Sequence, residues 1–146
     1  MNLFDKDFLT NKQYHLLACK IAENVLGFWT TELPNNNLLS FLLQLKNKHI
    51  NRPLEYSNVP FAELAETLQV FCLNYPQGTK SGCQAINAGL AVVAAIDTIS
   101  PGHIVAKRTA ESAQDVLLYN TNNITYDAVL QQINDKYLNM AKKLNN

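Results

Sequence analysis

The chain has 146 residues, 47% hydrophobic and 16% charged, the proportions of a globular protein with a core and not of a disordered one. At this length a single helical domain spanning residues 1–146 is expected. Twelve Lys and Arg balance twelve Asp and Glu, which argues against direct nucleic-acid binding, because such proteins carry a basic field toward phosphates.

The first helix is predicted to start at Thr10 or Asn11 as its cap. Its apolar residues Tyr14, Leu17, Ala18, Ile21, Val25, Phe28 and Trp29 recur at gaps of three and four, so they share one face. Leu33-Pro34 and three Asn residues end it. A second helix runs roughly from Asn37 to His49, apolar over more than half its circumference, and stops at Asn51-Arg52-Pro53. The third is introduced by Ser57 or Asn58, with Pro60 near its first turn. Its buried stripe is Phe61, Leu64, Ala65, Leu68, Phe71 and Cys72, while Glu63, Glu66 and Gln69 face elsewhere. Segment 50–59 has no clear pattern and is compatible with extended chain.

The fourth helix starts near Lys80 or Ser81 and carries the stretch CQAINAGLAVVAAIDTI, Cys83 to Ile99. It is apolar nearly all the way round, as a central helix must be. Ala85, Ala88, Gly89, Ala91, Ala94 and Ala95 admit close neighbours. On that basis aspartate at Leu90 or Val93 is expected to unfold the protein. A fifth helix follows Ser100-Pro101, a cap and then proline at the first position, and extends to Tyr119. A sixth begins at Thr125. No stretch sustains period-two alternation. The expected fold class is therefore all-α, a bundle of about six helices around an Ala-rich central one.

Chemistry-bearing residues are sparse. His15 and Cys19 share a helical face at i, i+4, but two ligands do not make a zinc site; no metal and no cofactor are expected. Cys19, Cys72 and Cys83 read as buried, reduced thiols. Gly78-Thr79-Lys80-Ser81-Gly82 lacks the order and the preceding strand of a phosphate loop, and reads as a turn capping the fourth helix. The amino-terminal MNLFDKDFLT has no signal-peptide core, and the longest apolar run, Gly89 to Ile96, is far too short to cross a bilayer. A cytoplasmic protein without membrane association is expected.

Two acidic pairs stand out. Glu63 and Glu66 lie one turn apart on the third helix, and Glu111 and Asp115 at i, i+4 on the fifth. Like charges at this spacing disfavour an isolated helix, so an outward cluster invites a cationic partner. Tyr75 and Tyr119, at helix ends, are candidate anchors beside them.

The stretch INAGLAVVAAIDTISPGHIVAKRTAESAQDVLLY resembles the Ala-rich helical hairpin of small all-helical bacterial proteins, among them immunity proteins of toxin–immunity pairs of the contact-dependent growth inhibition type. QYHLLACKIAENVLGFW is similar to their first helix. The two segments cover roughly a third of the chain and carry no catalytic motif, so no family site is transferred. The resemblance implies a non-enzymatic binder that neutralises a cognate protein toxin stoichiometrically; the expected toxin, read from the possible acidic faces, is a nuclease. The acidic pairs fit that reading, because a basic substrate groove is met by complementary potential. The alternative is a helical-bundle enzyme or small-ligand binder with a pocket between helices near Asn87, Asp97 and His103.

Overall fold

The computed structural model describes residues 3–118 and 126–144. Among the described residues there are seven α-helices and no strand. They are α1 (Asn11–Glu23), α2 (Leu26–Glu32), α3 (Leu38–Asn51), α4 (Phe61–Asn74), α5 (Lys80–Ala95), α6 (Gly102–Leu118) and α7 (Tyr126–Leu144). The all-helical fold and the central Ala-rich helix are as expected from sequence.

The predicted first helix is two helices. Its start is fixed by a capping box: Thr10 Oγ1 accepts from the Gln13 amide at 3.1 Å, and Gln13 Oε1 accepts from the Thr10 amide at 2.8 Å. The break falls at Asn24 and Val25. Their amides bond three residues back, to Ile21 and Ala22, and the Asn24 side chain bonds the Lys20 carbonyl at 2.9 Å. The reason is tertiary. α1 packs mainly on α6, whereas α2 packs on α5, and the chain must turn to bring Trp29 into the interior.

α5 is the axis of the bundle, packed against α6, α2, α4, α1 and α3. It ends at Ala95, a turn earlier than its apolar run suggests. Ala85, Ala88, Ala91, Val92 and Ala95 are buried, and Leu90 and Val93 are only half-buried against the core. Gly89 is where α5 meets its neighbours most closely. A Cβ there would lie 2.7 Å from Cys72 Sγ and 2.9 Å from Trp29 Cζ3, so only glycine allows α2 and α4 to approach this far. Gly102 plays the same part where α6 begins against α1: a Cβ would meet the Asn11 carbonyl at 2.5 Å. The chain before α1 folds over it, with Leu3 and Phe4 buried and the Tyr14 hydroxyl donating to the carbonyls of Leu3 and Asp5.

The cysteines are free thiols. Cys19 and Cys72 are buried, and burial pushes both thiols up to about 11. Cys83 departs from the buried reading: it is half-buried, with its thiol toward the Gln77 carbonyl at 3.2 Å. No helix among the described residues is long and apolar enough to cross a membrane.

Candidate functional site

α4 buries little of itself. Phe61, Leu68 and Cys72 are its buried residues. At about 100° per residue, Glu63, Glu66, Val70 and Leu73 share one arc on the opposite side. Val70 is 52% exposed and Leu73 64%, and both glutamates are exposed. The loop before α4 adds Leu54, 91% exposed. From residue 53 to 79 the sequence has three glutamates and no Lys, Arg or His. The outer face of α4 is thus acidic toward its start and apolar toward its end.

This face is held rigidly. Trp29, Phe71 and Tyr75 form a chain of tilted ring contacts, with centroids 5.7 and 5.9 Å apart. Glu32, at the end of α2, accepts from the Tyr75 hydroxyl at 2.9 Å and from Ser81 Oγ at 2.7 Å. One carboxylate therefore ties the end of α4 and the start of α5 to α2. The hydrogen bond from Ser81, then that from Tyr75, lowers the Glu32 pKa below the usual carboxylate range. Tyr75 is half-buried and its hydroxyl is engaged, so it offers a partner a fixed ring edge.

The second acidic pair lies elsewhere. Glu111 and Asp115 are exposed on α6. Asp115 borders a cleft with Gln77, Asn87 and Leu118, beyond the end of α4 opposite Glu63. Burial, and then the charge of Glu111, raises the Asp115 carboxyl. Tyr119 lies outside the described residues. Val70, Leu73 and Leu54 were not singled out from sequence. The signal was an apolar surplus in the third helix beyond its one buried stripe.

Asn87, Asp97 and His103 do not converge. Asn87 lines the cleft with Asp115. Asp97 lies past the other end of α5, where its carboxylate accepts from the Ile99 amide at 2.8 Å, the Ser100 amide at 3.0 Å and Ser100 Oγ at 2.7 Å. Burial alone would raise this carboxyl, but those bonds hold it below its ordinary value. His103 meets the edge of the Tyr14 ring, centroids 6.2 Å apart, and lines a separate cleft with Lys6 and Asn11.

The group that α5 does recruit at its end is Lys46, which sequence reasoning passed over. Lys46 shares a face of α3 with Leu39, Leu42 and Leu43 and is 1% exposed. Its ammonium donates to the Ala95 carbonyl and the Asp97 carbonyl, both at 2.7 Å, and lies 3.2 Å from His15 Nδ1. It neutralises the negative end of the α5 dipole. With the ammonium as donor, His15 Nδ1 is the acceptor and the ring proton sits on Nε2. Burial and then the charge of Lys46 lower His15 from 6.5 to about 4, and burial lowers Lys46 to about 8. With its three protons engaged, Lys46 is a structural cation.

Among the described residues no group of three or more His, Cys, Asp or Glu is placed to hold a metal ion. Neither family models, curated proteins nor solved structures give a match to this chain.

Proposed function

We propose that this protein is an immunity protein, a non-enzymatic inhibitor that binds a cognate bacterial toxin through the outer face of α4. The observation that carries the reading is the exposure of Val70 and Leu73 beside Glu63 and Glu66, on a stretch of 27 residues without a cation. An apolar strip next to like charges is a poor solvent face and a good partner face. The complementary surface is basic with apolar contacts, as found around the substrate groove of a nuclease. Opposite potentials steer such a pair together, and a desolvated apolar contact slows its dissociation. The aromatic chain of Trp29, Phe71 and Tyr75 along one edge of the face lowers the ordering cost of binding.

Co-expression with the toxin encoded beside it is the test. The reading expects cells to survive, and a one-to-one complex to form from purified components. Glu63→Lys with Glu66→Lys should weaken that complex about tenfold or more at an unchanged melting temperature. Glu111→Lys with Asp115→Lys should leave it intact. If cells die equally with and without the protein and no complex forms, the immunity reading is wrong. If a complex forms but only the α6 pair weakens it, the assignment to α4 is wrong.

A further inference from the structure

A cleft of about 200 Å³ opens between the first turns of α1 and the last turns of α3. Its polar wall is built from Asn11, Lys12, His15, Lys46, His49 and Thr98. No aspartate or glutamate lines it, in a chain whose positive and negative residues are equal in number. Asp97 lies behind the wall, its carboxylate hydrogen-bonded by Ile99 and Ser100, and its charge partly offsets that of Lys46 at His15. Ile50 supplies an apolar side.

We propose that this cleft is a binding site for a small oxyanion, a phosphate group carried by an ion or a short organic molecule. The site is independent of the α4 face and does not rest on the toxin-binding reading.

The residues divide the work. Lys46 is immobile, its protons directed to the Ala95 and Asp97 carbonyls and to His15. It contributes field and no contact. That field reaches the cleft wall: the charge of Lys46 adds to burial in lowering both His15 and His49. Contacts come from the rim. Lys12 is exposed and its ammonium is free to swing onto a ligand. His49 is held edge-on to Phe61, centroids 5.2 Å apart, so its ring direction is set before anything binds. The Thr98 hydroxyl is a third donor. Lys12 supplies the mobile charge and His49 and Thr98 supply neutral donors, so that a tetrahedral oxyanion is met from several sides.

The experiment is a titration of the folded protein with inorganic phosphate, followed by the ring proton resonances of His15 and His49, at ionic strength held constant with chloride. Bound phosphate cancels part of the Lys46 field, so the pKa of both histidines should rise, and the melting temperature should climb with phosphate concentration. Lys12→Ala should weaken binding about tenfold while leaving the fold intact, since Lys12 is on the surface. His49→Gln should weaken it and leave the His15 response in place. Sulfate should reproduce the shifts. Acetate reproducing them at the same concentration would overturn the phosphate assignment. Unmoved histidine resonances at tens of millimolar phosphate, shifts matched by chloride alone, or equal binding by Lys12→Ala would overturn the site.

Discussion

At the scale of single residues, two glycines in helices have opposite roles. Gly27 in α2 has nothing within 4 Å of where a Cβ would be, whereas at Gly89 that atom would collide with Cys72 Sγ and Trp29 Cζ3. Alanine favours a helix over glycine by up to about 1 kcal/mol. Gly27→Ala should therefore stabilise the protein slightly. Gly89→Ala gains the same propensity but forces apart three helices, and overpacking of this kind costs about 1–3 kcal/mol. Urea unfolding of the two variants should give midpoint changes of opposite sign. The sequence marks both positions only as glycine in a helical pattern. Which of them is a contact depends on the residues that arrive from α2 and α4.

At the scale of elements, the join between α3 and α5 rests on one buried cation. Lys46→Met is nearly isosteric along the stem, but it leaves the Ala95 and Asp97 carbonyls and His15 Nδ1 without their shared donor. Removing one side of such a network costs about 2–5 kcal/mol, and denaturant unfolding should report a loss in that range. The same variant should let the His15 pKa rise from about 4, because the repelling charge is gone. An unchanged His15 titration would show that burial alone depresses it. Lys46 was legible in principle, as a charge placed on the Leu39, Leu42 and Leu43 face at helical spacing. Its purpose was not, since its acceptors come from residues about fifty positions away.

At the scale of the whole molecule, stability should depend on acid. His15 falls from 6.5 to about 4 on folding, so between those values the unfolded chain binds a proton that the folded one does not. Stability is fully present above the unfolded pKa and is lost as the pH falls toward about 4, by up to roughly 3 kcal/mol. His49, also lowered, adds in the same direction. Urea midpoints at about pH 7 and about pH 5 should differ accordingly, and His15→Gln, which retains an acceptor for Lys46, should flatten the difference. The sequence by itself determined the helical class and the central place of α5, because three- and four-residue periodicity and a run of small apolar residues are local properties that folding must satisfy. It also placed Phe61, Leu68 and Cys72 on the buried side of α4, but it put Phe71 there too, which the structure leaves 42% exposed because its ring packs at the edge against Trp29 and Tyr75. Only the tertiary structure decided where the first helix breaks, that Lys46 closes the end of α5, that Asn87, Asp97 and His103 lie apart, and that Val70 and Leu73 stay exposed among the described residues. Each of these depends on which elements pack together, and periodicity along one helix carries no record of the helix that lies across from it.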